Sequence, residues 1–246
     1  MAFTLSWDQN AERLYETGVR RGVLFLTDDN GNYLPGIAWN GLTSVTESPS
    51  GAEANPIYAD DMKYLDIRSA EEFGATIQAY TYPKEFEYCD GSASLLGDTA
   101  DFITIGQQAR RKFGFSYVTR VGNDVALNDF SYKIHLVYGC TASPSEREYQ
   151  TVNDSPEAIN FSWELTTTPI PVDQLPEGFK PTASLTVDVS RIAMMEDGQD
   201  KTHWLNKVAA FEKVLYGDSE GTGEAKNAKL ILPRDFATYF PARQGG

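Results

Sequence analysis

INFSWELT (Ile159–Thr166) sets Ile159, Phe161, Trp163 and Leu165 on one side of an extended chain and Asn160, Ser162, Glu164 and Thr166 on the other. Successive side chains of a strand point to opposite faces, so this alternation spells a strand with one apolar and one polar face. Four more segments read the same way. Phe73, Ala75, Ile77 and Ala79 oppose Glu72, Thr76 and Gln78; Phe113, Phe115 and Tyr117 keep the same period. Tyr132, Ile134, Leu136 and Tyr138 oppose Lys133 and His135, and Ala183, Leu185 and Val187 oppose Ser184, Thr186 and Asp188. Strands with one wet face belong to antiparallel sheets, because a parallel sheet covered by helices carries unbroken apolar runs. The expected fold is therefore mainly β, an antiparallel sandwich or barrel. Asn30-Gly31, Asn40-Gly41 and Asp90-Gly91 supply the positive φ angles that its tight turns need.

One flanking helix is expected over His203–Tyr216, where Trp204, Val208, Phe211 and Leu215 recur at helical spacing. Gly217 would stop it, and Asp200 or Thr202 would cap its start. A shorter helical turn is expected over Ala11–Thr17, ended by Gly18. Pro169, Pro171, Pro176 and Pro181 make Thr168–Thr182 an extended crossover within a single domain spanning residues 1–246. Two polar stretches, ESPSGAEANPIYADD (Glu47–Asp61) and Gly217–Ala228, read as long surface loops, and connections above about a dozen residues are commonly functional.

A chain of 246 residues buries roughly 70–75% of its unfolded surface, and its 41% hydrophobic content is globular rather than disordered. The 21 basic and 35 acidic residues give a net charge of −14, which argues against a grip on nucleic acid through phosphate contacts. Cys89 and Cys140 permit at most one disulfide and form no CxxC pair. Met1–Gly22 has no apolar segment of signal-peptide type, and no apolar run approaches the roughly 18 residues of a membrane span.

Chemistry-bearing motifs are mostly missing. Gly114-Phe115-Ser116-Tyr117 runs on to Val118 where a nucleophile elbow requires glycine, and there is no P-loop, GxGxxG or HExxH. Asp28, Asn30 and Asn32 imitate the start of a calcium loop, but Tyr33 occupies its glycine position, which makes a hairpin turn the better reading. With two histidines, His135 and His203, a metal cluster or a histidine-based triad has little to draw on. Trp39, Trp163 and the tyrosines could form a sugar-binding platform, although Trp163 falls on the apolar face of its strand. Residues alone leave two classes open, an assembly protein joined through sheet edges and loops, or a β-sandwich carbohydrate-binding protein or hydrolase.

Longer words decide between them. RLYETGVRRG (Arg13–Gly22), IAWNGLTSVTESPSGAEANPIYADDMKYLDI (Ile37–Ile67), EEFGATIQAYTYPKEF (Glu71–Phe86), IGQQARRKFGFSYVTRVGND (Ile105–Asp124), Tyr132–Pro169 and FEKVLYGDSEG (Phe211–Gly221) resemble the major tail proteins, or tail tube proteins, of long non-contractile-tailed phages and related prophages. The resemblance implies a non-enzymatic virion subunit, assembled in the host cytoplasm. Six-fold rings of it would stack into a hollow tube that conducts double-stranded DNA without binding it specifically. It implies a small β-sandwich flanked by a helix, no cofactor, no metal and no membrane, with tape measure, tail terminator and tail-tip proteins as partners. Tubes of contractile or secretion systems share that fold and are the nearer alternative. On this reading Glu47, Ser48, Ser50, Glu53, Asp60 and Asp61 belong to a loop that reaches the adjacent ring. Glu72, Gln78, Asn160, Ser162 and Glu164 are the candidates to line the lumen, where acidic groups would let DNA slide rather than trap it.

Overall fold

The computed structural model describes residues 7–51, 53–97, 100–144, 147–151, 154, 158–219 and 227–241. The strands are β1 (Leu14–Leu26), β2 (Ile37–Trp39), β3 (Leu42–Glu47), β4 (Ser50–Gly51), β5 (Ala54–Ala59), β6 (Met62–Arg68), β7 (Glu71–Glu72) and β8 (Gly74–Ala79), followed by β9 (Ala93–Ser94), β10 (Thr104–Ile105), β11 (Phe113–Asn123), β12 (Leu127–Ala142), β13 (Phe161–Thr167) and β14 (Ser184–Asp188). The helices are α1 (Glu87–Asp90), α2 (Val189–Ala193), the long α3 (Gln199–Tyr216) and α4 (Phe236–Tyr239). None of the described helices is long and apolar enough to cross a membrane.

The main sheet is antiparallel throughout, in the order β2-β1-β11-β12-β13-β8-β3, with β14 beside β12. It folds back on itself at β12. Lys133–Val137 of that strand pair with β14, whereas Cys140–Ala142 pair with β13. Between them Gly139 sits at φ 60°, and a Cβ there would stand 2.2 Å from the Thr168 carbonyl oxygen. A strand bent at such a glycine can leave one layer and join the next. Gly139→Ala is expected to lower stability by about 1–3 kcal/mol from left-handed strain alone. Urea unfolding reads this directly, and an unshifted midpoint would dissociate the bend from stability.

The two layers enclose a core of Leu24, Trp39, Ile77, Phe86, Phe113, Phe115, Trp163 and Leu165, with both free cysteines inside it. Burial pushes the Cys89 thiol up to about 12 and the Cys140 thiol higher still, so both stay protonated and unreactive at neutral pH. A second core lies on the other side of β1, β11 and β12, where Ile134, Leu136 and Tyr138 meet Phe211 and Leu215 of α3, Ile231, and Ile170 and Leu175 of the proline-rich crossover. The sheet is thus sandwich-like and does not close into a barrel.

Several expectations need correction. β11 is buried on both faces rather than wet on one, because the second core and the C-terminal segment cover the face of Gly114, Ser116 and Val118, whereas β12 turns Ile134, Leu136 and Tyr138 toward α3 and keeps Lys133 and His135 half-buried on its other face. Ala11–Thr17 is no helical turn: the chain enters β1 at Leu14, and Gly18 lies at a register shift between Thr17 and Val19. The long helix starts at Gln199 behind Gly198, with no side-chain cap at its N-terminus; the Thr202 hydroxyl instead donates back to the Gly198 carbonyl. Trp39 and Trp163 are both 2% exposed and therefore offer no sugar platform. The Asp28 carboxylate accepts from the backbone amides of Asn30 and Asn32, which makes that segment a hairpin turn. Most of the polar stretch Gly217–Ala228 lies outside the described residues.

Candidate assembly interface

The stretch expected as a loop over Glu47–Asp61 is mainly strand. After Glu47 the chain forms β4, then the β5–β6 hairpin turned at Asp60-Asp61, and returns through β7, which pairs Ser50 with Glu72. Asp60 and Asp61 hold positive φ angles of 50° and 59°, the handedness that a tight hairpin connection demands. The sequence disguised this hairpin because Pro56 and the acidic residues argue for a loop, while the pairing that makes it a strand is purely local.

Every described residue from Thr46 to Glu72 is exposed. The arm nonetheless carries Ile57, Tyr58, Met62, Tyr64, Leu65 and Ile67 in the open, with Tyr58 and Tyr64 each 69% exposed. Exposed apolar side chains gathered on one element mark a contact surface, and a lone two-stranded hairpin is marginal without one. Among the stacking candidates, Ser48, Ser50, Glu53, Asp60 and Asp61 lie along this arm or its base. Ser48 donates its amide to the Gly74 carbonyl, and the Glu53 carbonyl accepts from Ser69. Glu47 is different, since its carboxylate accepts from the Tyr117 hydroxyl at 2.6 Å and ties the root of the arm to β11.

The lumen candidates divide as well. Ser162 pairs with Gln78 and Glu164 with Thr76, and Ser44 and Thr46 of β3 continue the row on the same face. Gln78 Oε1 accepts from Ser44 Oγ at 3.1 Å and from Asn160 Nδ2 at 3.2 Å, while Thr43 donates to Asn160 Oδ1 at 3.1 Å. The outer face of β13, β8 and β3 is therefore a continuous polar sheet bearing the Glu164 carboxylate. Glu72 does not belong to it. The chain breaks from β7 into β8 at Phe73, which leaves Glu72 paired to Ser50 at the base of the arm.

Sequence reasoning gave His135 little weight, and the structure packs it into a network. Its Nε2 lies 2.9 Å from Thr119 Oγ1, its ring stacks on Tyr117 at 4.6 Å, and its Nδ1 lies 3.6 Å from Glu47 Oε1. That is the order hydroxyl, imidazole, carboxylate, but 3.6 Å is beyond hydrogen-bond reach and the Glu47 oxygen is already held by Tyr117. The arrangement ties β3, β11 and β12 together. Burial holds His135 below its ordinary range, against the opposing pull of Glu47 and Glu16. A depressed histidine is neutral in the fold, so its contribution is complete above the unfolded value of about 6.5 and is lost as pH falls below it. His135→Gln is expected to flatten the acid-side loss of stability between neutral pH and about pH 5. Equal slopes for both proteins in urea melts would assign that loss to other groups.

The chain is, in class, an antiparallel β-sandwich with a long flanking helix and a projecting hairpin. No protein-family profile matches it, and no curated protein matches it. Among solved structures it is similar to a chain of the six-fold symmetrised baseplate of the anti-feeding prophage, at 9% identity and a TM-score of 0.33, covering 75% of this chain and 98% of that one. It is also similar to a chain of the PVC extracellular contractile injection system sheath–tube complex in its extended state, at 12% identity and TM-score 0.27, covering 68% and 88%. A third likeness is to the sheath/tube terminator of the same system, at 12% identity and TM-score 0.26, covering 67% and 96%. Superpositions this loose carry no argument about this chain.

Proposed function

We propose that the chain is a structural subunit of a phage-type tail tube, built by association of copies of itself and serving in the virion as the conduit for double-stranded DNA. The observation that carries the reading is the arm, a hairpin exposed along its whole length and rich in aromatic and aliphatic side chains, the kind of surface that a second molecule covers. In a ring that closes or a stack that repeats, a surface that would make a monomer aggregate is satisfied by the next copy. The words shared with tail tube proteins supply the class of assembly, six-fold rings stacked end to end, with tape measure, terminator and tail-tip proteins at its limits.

The polar face of β13, β8 and β3 is the surface assigned to the lumen, through Gln78, Asn160, Ser162 and Glu164. Glu72 passes from the lumen set to the arm. Tethered side chains without cationic groups on that face suit a wall along which a polyanion slides. Glu164→Lys is expected to leave tubes intact and to slow DNA delivery, measured as genome release from particles carrying the variant. Unchanged delivery would end the lumen assignment.

Negative-stain electron microscopy of the purified chain across a concentration series tests the main reading. Rings or tubes of uniform width are the expected result. A chain that remains monomeric, fails to extend purified tail tips and binds polysaccharide saturably would instead be a carbohydrate-binding sandwich.

A further inference from the structure

Cationic charge is the scarcer kind on this chain, with 21 basic against 35 acidic residues, yet Arg20, Arg21 and Arg120 gather at one place. Arg20 separates two grooves. One, of about 780 Å³, runs from Arg20 and Arg21 along the apolar side chains of Val23, Ala38 and Leu42. The other, of about 390 Å³, is bordered by Arg20, Arg120 and Lys201 of α3, and Asp129 is the carboxylate on its wall.

Arg21 is provided for: its guanidinium lies 3.9 Å from Glu212 Oε1 and 5.6 Å above the Tyr216 ring centre. Arg20 and Arg120 are not. Neither has a carboxylate at ion-pair distance among the described residues, and Arg20 Nε is buried without a hydrogen-bond partner. Burial, Arg120 and Arg21 all hold the Arg20 guanidinium below its ordinary range. Two neighbouring cations sunk partly into a protein raise each other's cost until an anion is supplied.

The arm ends in a matching group. Asp60 and Asp61 form its tip, make no ion pair among the described residues, and are flanked by Tyr58 and Met62, which are 69% and 64% exposed. Two carboxylates between two apolar side chains complement two arginines beside an apolar trough in both charge and hydrophobicity. We infer that the Asp60–Asp61 tip of one copy's arm docks over Arg20 at the Arg20–Arg120 groove of another copy, with Tyr58 and Met62 against the Val23, Ala38 and Leu42 wall of the adjoining groove. The inference rests on the self-assembly reading and names the surface on the receiving subunit. Tip and groove are different patches, so the contact is head-to-tail and passes from copy to copy.

Charge reversal in the full chain tests it, with Asp60→Arg/Asp61→Arg in one protein and Arg20→Glu/Arg120→Glu in another. Each alone is expected to raise the concentration needed for assembly at least about tenfold, and an equimolar mixture to recover assembly because each supplies what the other lost. Wild-type tubes together with a tip variant that assembles at the wild-type concentration would overturn the docking and leave self-assembly intact. A wild-type chain that never assembles would overturn both. Circular dichroism and a thermal melt check the arginine variant; should it unfold, Arg120→Gln replaces it, while the tip variant lies on an exposed turn and decides by itself. An arginine variant that assembles normally but loses affinity for a short DNA duplex would make the groove a phosphate site and the docking wrong.

Discussion

Replacing Ala54–Arg68 by a short Gly-Ser linker is expected to abolish assembly while leaving a folded, monodisperse monomer. The two ends of the segment are already close, since the Ser69 amide lies 3.4 Å from the Glu53 carbonyl oxygen, so a few residues can bridge them without strain on β4 or β7. No side chain of either core belongs to β5 or β6. The cost to the fold is then limited to the hairpin itself, while the loss to assembly includes every exposed apolar group from Ile57 to Ile67. Exposure of that kind contributes to association at about 25 cal/mol per Å² buried, before the losses of binding are subtracted. Size-exclusion chromatography with electron microscopy separates the outcomes. A linker variant that forms wild-type tubes would remove the arm from the interface, and a linker variant with a lowered melting temperature would show that the arm supports its own subunit.

How much of this was legible in the sequence depends on what covers each strand. β13 and β8 were readable residue by residue, because one face meets the core and the other meets water, so Trp163 and Leu165 alternate with Glu164 and Thr166 as periodicity requires. β11 misled. Gly114 and Ser116 look like a wet face between Phe113, Phe115 and Tyr117, yet Ser116 is fully buried and a Cβ on Gly114 would stand 2.3 Å from Leu230. A small residue can mean water or a close neighbour, and a pattern within one strand does not distinguish them. The helix was readable from Val208, Phe211 and Leu215, which do turn inward. The site was half readable: Gln78, Asn160, Ser162 and Glu164 share a face, whereas Glu72 was displaced by a one-residue break at Phe73 that strand periodicity cannot reveal. The arginine groove was invisible because Arg20 and Arg120 are brought together only by the β1–β11 register.

Trp163→Ala is expected to produce the opposite failure, loss of the fold with the arm untouched. Trp163 is the meeting point of the aromatic core, with Phe86 at 5.1 Å, Tyr82 at 5.3 Å, Trp39 at 5.6 Å and Phe161 at 5.9 Å between ring centres. Those partners come from β2, from the segment after β8 and from β13 itself, so the indole fills the space where the folded-back layers of the sheet meet. Truncating a buried aromatic of this size costs about 3–5 kcal/mol, a large share of the 5–15 kcal/mol by which a domain is stable. Neighbours fixed on separate strands cannot close the cavity without moving the layers, which places the cost toward the upper end of that range. The urea midpoint should fall steeply, and Trp163→Phe should recover part of the loss by restoring a ring without its second cycle. A variant as stable as wild type would mean that the two layers do not depend on their shared core. Taken with the arm replacement, the pair separates the two requirements of the proposed assembly: a subunit that holds its shape, and a projecting hairpin left exposed for a second copy.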